Sequence, residues 1–306
     1  MAQLNSRISD TLKHHDLMNP GHLGCPGCGA TIAMKFALQA LGEKTMAVIP
    51  ACCWGVIAGP YPQSALNIPV LQTAFATAGA AASGLRAALD MRGDTDTTIL
   101  SWAGDGGTFD IGFQSLSGAV ERNEDCIFAC YDNEAYMNTG VQRSSATPYG
   151  TQTTTTPAAT WKKTGKKNIV EALAAHRIPY AATASIGYPE DMIRKFKKAA
   201  QLKGGSRFLH VFAPCPAGWR IGSEMSVKIA RLAVQANVFP LYEVTGGLKY
   251  TINFKGDRRV GEYLKAQGRF KHLTEADCDR IQQMVDAEWN HLLRKAEAPC
   301  ACGVGC

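Results

Sequence analysis

The residues best suited to chemistry stand at the ends of two apolar runs. Gly104-Asp105-Gly106 closes the first, TTILSWAG at 97–104, and Asn133 follows the second, CIFACYD at 126–132. If both runs are strands of one parallel sheet, their carboxyl ends bring the Asp105 carboxylate and the Asn133 side chain to one crevice. Magnesium takes hard oxygen ligands in an octahedron and commonly borrows several of them from phosphates. Asp105, Asn133 and the carbonyl of Ala135 would supply the protein's share. Gly104 and Gly106 let the backbone approach a diphosphate, and the helix expected next directs its N-terminus at the negative charge. A bare GDG turn is common; the order strand, GDG, helix, strand, Asn gives it meaning.

Cysteines form the second set. Cys25-Pro26-Gly27-Cys28-Gly29 is a CxxC pair, a pattern used by redox dithiols, zinc sites and iron–sulfur sites. Cys53, in Pro50-Ala51-Cys52-Cys53-Trp54, and Cys215, in Ala213-Pro214-Cys215-Pro216, both follow apparent strand ends. Both can therefore lie on the edge that carries Asp105. Four thiolates at one place suit zinc or a 4Fe-4S cluster, and spacing alone does not separate these. Cys126 and Cys130 alternate within a strand and read as small core residues. Cys278 stands alone in a helix, and Cys300, Cys302 and Cys306 form a Cys-Gly tail that reads as free thiols, an additional metal being the alternative.

The elements that must position these groups alternate. Helices are expected at 30–41, 73–91, 109–122, 168–175, 189–202, 223–236 and 275–295. Strands are expected at 46–51, 97–104, 126–132, 180–185 and 207–213. Strands separated by helices of this length imply a doubly wound, mostly parallel α/β sheet covered on both faces. The Ala/Gly-rich 73–91 segment suggests a helix packed closely on a neighbour. Residues 138–167 lose the pattern, and so long a connection in a compact domain is functional or disordered. Within it, Lys162-Lys163-Thr164-Gly165-Lys166-Lys167 reads as a solvated basic loop.

The motifs carry a further implication. The GDG–Asn spacing resembles the thiamine diphosphate signature. GHLGCPGCG, GDGGTFDIGFQSLSGA, YDNEAYMNTGVQRSSATPYG and APCPAGW resemble the β subunit in the 2-oxoacid:ferredoxin oxidoreductase family, its pyruvate-oxidising members above all. The likeness runs from about Gly21 to Trp219, and EYLKAQGRFKHL carries it to about 273. It implies the thiamin diphosphate-binding fold, with cofactor contacts from Gly104, Asp105, Gly106, Asn133, Ala135, Asn138 and Thr139. It implies a 4Fe-4S cluster on Cys25, Cys28, Cys53 and Cys215 and Mg2+ on Asp105, Asn133 and Ala135. The family's third cysteine usually stands in Thr-Gly-Cys; here it is Ala51-Cys52-Cys53, so Cys52 is the alternative ligand.

The resemblance further implies oxidative decarboxylation of pyruvate, with coenzyme A taking the acyl group and ferredoxin the electrons. The same family also acts on other oxoacids, oxalate (without coenzyme A) or 2-oxoglutarate among them. Asn138 matches a residue near the reactive carbon and is the candidate catalytic side chain. Arg143 is a candidate for substrate or partner contact, and His22 for support of the cluster. The acid that activates the pyrimidine comes from another chain in the family, so α-, γ- or δ-type partner subunits are expected to complete the site. A non-redox thiamine enzyme with a structural zinc, or a scaffold that keeps only the fold, are the competing readings.

The bulk properties agree with a soluble enzyme subunit. With 306 residues the chain suffices for one large domain; we expect residues 1–222 to bind cofactor and cluster, and residues 223–306 to form a helical extension packed on the same domain. The net charge of +6 is mild and spread out, and there is no nucleic-acid motif. No apolar run approaches the roughly 20 residues of a membrane span. The start, MAQLNSRISDTLKHHD, lacks an apolar signal core, so a cytoplasmic location is expected. There, 11 cysteines point to metal ligands and core thiols rather than disulfides.

Overall fold

Alternation of buried strands and amphipathic helices is realised as one eight-stranded sheet in the computed structural model, which describes residues 16–298. The tail cysteines Cys300, Cys302 and Cys306 lie outside the described residues. In chain order the first half runs α1 (Gly29–Leu41), β1 (Thr45–Pro50), α2 (Cys53–Ile57), β2 (Val70–Thr73), α3 (Ala78–Met91), β3 (Thr98–Gly104), a π-helical turn (Gly106–Asp110), α4 (Phe113–Glu121) and β4 (Ile127–Asp132). The second half runs α5 (Ile169–Ala174), β5 (Tyr180–Ser185), α6 (Pro189–Gln201), β6 (Arg207–Phe212), α7 (Pro216–Trp219), α8 (Ser226–Gln235), β7 (Tyr242–Thr245), β8 (Lys249–Ile252), α9 (Gly261–Lys265) and α10 (Glu275–Glu297).

The strand order is β2-β1-β3-β4-β6-β5-β7-β8, parallel from β2 through β5 and antiparallel at β7 and β8. Every residue of β3, β4, β5 and β6 is buried, as in strands covered on both faces. One core carries α1, α6 and α8; the other carries α3, α4, α5 and the end of α10. The expected close packing of the Ala/Gly-rich helix is real. A Cβ on Gly79 of α3 would stand 2.5 Å from the Ser115 carbonyl oxygen on α4, so only glycine permits that approach.

The C-terminal part corrects one expectation. It is not purely helical: β7 and β8 form an antiparallel hairpin that continues the same sheet. Four residues in each strand, with charged residues between apolar ones, gave too short an alternation to read. α10 begins on a capping box, with Thr274 and Asp277 exchanging side-chain and backbone hydrogen bonds. Among the described residues no helix is long and apolar enough to cross a membrane.

Glu243 ties β7 to its neighbours. Its carboxylate accepts from Lys198 at 2.6 Å, Arg194 at 2.8 Å, Asn253 at 2.9 Å and the Tyr180 hydroxyl at 2.9 Å. Burial works to raise its pKa, but these four donors, Lys198 first, pull it down to about 2. A depressed folded-state value stabilises the fold above the unfolded pKa of about 4.3, and that contribution is lost as pH falls toward 2. Glu243→Gln is therefore expected to lower the melting temperature at pH 7, with the gap to the parent closing between about pH 4 and 2. Paired thermal melts across that range check it; a constant gap contradicts the assignment.

Candidate functional site

The connection reverses between β1 and β3: β1 leads outward to β2, and the chain then returns to β3 on the other side. Open α/β sheets bind ligands in the crevice beyond the carboxyl ends of such strands. Here that crevice is a cavity of 670 Å3 lined by Pro50 to Cys53 at the end of β1, Gly104 to Gly107 at the end of β3, and Asn133 and Ala135 to Thr139 after β4. The structure brings Asp105 and Asn133 to this one crevice, because each follows directly on a buried strand.

The three oxygens expected around magnesium converge. The Asn133 side-chain oxygen lies 3.1 Å from Asp105 Oδ1 and 2.9 Å from the Ala135 carbonyl oxygen. Turning the amide over would convert both contacts into hydrogen bonds. The orientation as it stands is the one that suits a bound cation, and it leaves the amide nitrogen 4.0 Å from Cys53 Sγ. The oxygen spacings also match the edge of an octahedron whose metal–oxygen bonds are about 2.1 Å, which is roughly 3 Å. Asp105 itself is buried and accepts from the Ser144 hydroxyl at 2.5 Å. Burial first, and the charge of Asp132 second, push its carboxyl well above the ordinary range, so a cation beside it is what would keep it ionised. The residues fit a magnesium ion.

The backbone around this point is specialised. The turn after β3 is π-helical, a wide form that recurs at functional sites. A Cβ on Gly106 would fall 2.0 Å from the Tyr136 ring, which is fixed by its hydroxyl donating to Asp110 at 2.6 Å. Glu134 occupies the left-handed region at φ 67°, between Asn133 and Ala135. That strain is held by ion pairs, since Glu134 meets Lys166 at 2.8 Å and Arg269 at 2.6 Å. Gly106→Ala is expected to displace Tyr136, costing about 1–3 kcal/mol of stability and at least tenfold in cofactor affinity. Gly84→Ala, on the open face of α3 with nothing within 4 Å, should instead be neutral or stabilising. Melting and cofactor titration of the two variants check the contrast; equal behaviour contradicts it.

The cysteines gather at the same end of the sheet. Cys28 caps α1, Cys53 opens α2 and Cys215 caps α7. Cys215 Sγ accepts from the Gly218 amide at 3.4 Å, and the Cys28 thiol faces the amides of Ala30 and Thr31. Backbone donors aimed at sulfur suit thiolates. Contacts fix the loops together: Gly29 N donates to Pro214 O at 3.0 Å and Ser226 Oγ to Gly27 O at 2.6 Å. Burial pushes the Cys53 thiol up to about 12, with Cys52, Cys215 and Cys28 adding to it, and Cys215 to about 11, with Cys28 and Cys25 as its thiol neighbours. Cys52 instead turns to the Tyr131 hydroxyl and the Gly104 backbone. None of the eight cysteines among the described residues is in a disulfide. Among those residues no three His, Cys, Asp or Glu side chains stand close enough to hold a single metal ion.

Comparisons with known proteins show the family. Residues 52–211 match the thiamine pyrophosphate enzyme, C-terminal TPP binding domain. Over 289 residues the chain is 51% identical to the ketoisovalerate oxidoreductase subunit VorB of Pyrococcus horikoshii, covering 90% of this chain and 92% of the relative. Over 281 residues it is 46% identical to the pyruvate synthase subunit PorB of Methanothermobacter marburgensis, covering 90% and 97%. The chain belongs to the 2-oxoacid:ferredoxin oxidoreductases, as a β subunit. A solved 2-oxoglutarate:ferredoxin oxidoreductase from Magnetococcus marinus, with 2-oxoglutarate, coenzyme A and succinyl-CoA bound, shares the fold at TM-score 0.57 and 22% identity, covering 71% of this chain and 79% of that one.

Placed in this β subunit, the remaining candidates divide. Asn138 and Thr139 are exposed on the rim of the cavity, with Thr139 tied to Gln142. Arg143 is exposed and its amide donates to Thr155 at 2.9 Å. His22 Nδ1 accepts from the Gly24 amide at 3.2 Å, a local turn. Cys126 and Cys130 are core residues, and Cys278 packs partly buried on α10.

The basic segment is exposed at Lys163, Thr164, Gly165 and Lys167, as expected, but departs from that expectation at Lys162 and Lys166. Lys162 is buried, with Nζ donating to the carbonyls of Thr147 and Gly165, and Lys167 donates to the Phe109 carbonyl. Lys166 pairs with both Asp132 and Glu134. Burial opposes the Lys166 charge, but the two carboxylates hold its pKa above the usual value; Asp132, against the same burial, is drawn to about 2 by Lys166 and His210. Sequence reasoning missed this network, which reaches the site through Arg269. The Arg269 guanidinium stacks 3.6 Å over the Trp219 ring, and Trp219 Nε1 donates to the Asn133 carbonyl at 2.7 Å. The available signal was the run Asp132-Asn133-Glu134: two charges at the end of a fully buried strand need buried cations.

Proposed function

We propose that this chain holds thiamine diphosphate through Mg2+ on Asp105, Asn133 and Ala135, beside a 4Fe-4S cluster on Cys25, Cys28, Cys53 and Cys215. With partner subunits it would decarboxylate pyruvate oxidatively, giving acetyl-CoA from coenzyme A, CO2 and reduced ferredoxin. One observation carries this reading: the Asn133 side chain lies between the oxygens of Asp105 and Ala135 on one side and Cys53 Sγ on the other, so the proposed metal position and the cysteines meet at one residue. When bound, thiamine diphosphate supplies the electron sink that 2-oxoacid decarboxylation demands. The chain's own residues bind and orient. Gly104 and Gly106 admit the diphosphate, Thr139 holds it at the rim, and Asn138 donates to the substrate oxygen.

The cavity also supports a divided site. Asp105 is the one carboxylate among the described residues that line it, and it is committed to the metal. The acid that acts on the pyrimidine would then come from α-, γ- or δ-type subunits. We read residues 1–222 as the cofactor-binding part and residues 223–306 as its extension, which supplies Arg269.

A second reading, ketoisovalerate in place of pyruvate, is favoured by the 49–51% identity to ketoisovalerate oxidoreductase subunits. Ferredoxin reduction by the assembled complex, with pyruvate, ketoisovalerate, 2-oxoglutarate and oxalate, each with and without coenzyme A, tests the proposal. Pyruvate should give the highest kcat/KM and require coenzyme A. A preference for ketoisovalerate establishes the second reading, and turnover of oxalate alone contradicts both.

A further inference from the structure

A second cavity, of 290 Å3, is lined by Glu134, whose chain neighbours Asn133 and Ala135 line the first. Its volume is at the lower end for a small-molecule site. Its apolar lining comes from Phe239 and Tyr242 and from Ile281, Val285 and Leu292 of α10, with Glu171, Glu288 and His291 also among the lining residues. Its floor is polar and carries Lys166 and His210.

His210 is only 6% exposed, and its Nε2 lies 2.7 Å from Asp132 Oδ2. The Asp132 carboxylate can only accept, so Nε2 carries the proton and Nδ1 is an acceptor. Nδ1 has no hydrogen-bond partner among the described residues. Burial holds the ring neutral, against the pull of Asp132. Lys166 spends two of its three N–H groups on Asp132 and Glu134, and its side chain remains 21% exposed. The floor thus offers one acceptor and one donor of positive charge.

Charge balance selects the ligand. Asp132 and Glu134 are matched by Lys166 and Arg269, Glu171 by Lys295, and the two remaining lining charges, Glu288 and Lys167, are exposed and opposite in sign. A lone carboxylate or a lone ammonium would leave an unpaired charge in an apolar pocket, which is costly. A zwitterion adds none. We propose that this cavity binds a free amino acid with an apolar side chain. Its carboxylate lies on Lys166, its ammonium donates to His210 Nδ1, and its side chain rests against Phe239 and α10.

Calorimetry on the intact complex tests this with L-leucine, its des-amino analogue 4-methylpentanoate and its decarboxylated analogue 3-methylbutylamine. L-Leucine is expected to bind saturably, at least tenfold more tightly than either analogue. His210→Phe should weaken leucine at least tenfold. Val285→Trp fills the cavity without touching the ion pairs; it should abolish leucine binding and leave thiamine diphosphate affinity unchanged. Absence of saturable leucine binding, which would leave water as the occupant, overturns the proposal. So do equal binding of all three probes and leucine binding retained in Val285→Trp.

Discussion

Asp105→Asn is expected to lower the affinity for thiamine diphosphate and magnesium by at least about 100-fold while leaving the cofactor-free protein as stable as the parent or more so. The two effects separate because the same carboxylate is good for a cation and bad for a core. It is 2% exposed, with the Asp132 charge nearby and one neutral donor, Ser144, to satisfy it. An amide keeps the shape and the Ser144 contact and removes the charge. Loss of a group that merely orients a metal ligand costs 10–100-fold, and Asp105 is the sole charged member of the oxygen trio. Melting of the cofactor-stripped complex and titration of thiamine diphosphate with Mg2+ measure both halves. Retained binding would contradict the metal assignment. Destabilisation of the stripped protein would give Asp105 a structural role instead.

Cys53→Ser carries the second large effect, and Cys52→Ser is its control. Adjacent in sequence, the two thiols look in different directions. Cys53 has Cys215 and Cys28 among its electrostatic neighbours and receives the Asn133 amide, whereas Cys52 turns to the Tyr131 hydroxyl. Cys53→Ser is expected to remove about four iron and four sulfide per β chain from the assembled complex and to cut ferredoxin reduction to background. Cys52→Ser should retain the iron and lose only packing. Iron and sulfide analysis decides between them. Loss of iron from Cys52→Ser alone would exchange the two roles, and zinc in the parent at these thiols would sink the redox reading.

The frame of this site was legible because it is written in strand ends. Asp105 and Asn133 each follow a run of buried apolar residues, so register alone sends them to one edge. Cys53 and Cys215 are placed by the same rule, after β1 and β6. What escaped was whatever depends on long-range pairing. Lys162 and Lys166 sit in a run of polar residues, and nothing local says that Thr147, Asp132 and Glu134 wait inside for them. Arg269 is likewise an ordinary arginine in sequence, yet it supports Asn133 through Trp219 from 136 positions downstream of it. β7 and β8 were missed for a different reason: at four residues each, alternation gives too little signal to set against turn-rich flanks.

The account rests on a cluster and a metal meeting at Asn133, and anomalous diffraction from crystals of the intact complex tests that most directly. At the iron edge the account predicts a strong peak enclosed by the sulfurs of Cys25, Cys28, Cys53 and Cys215, on the Asn133 side of α1. A peak at the zinc edge alone, or none among these four sulfurs, would contradict it.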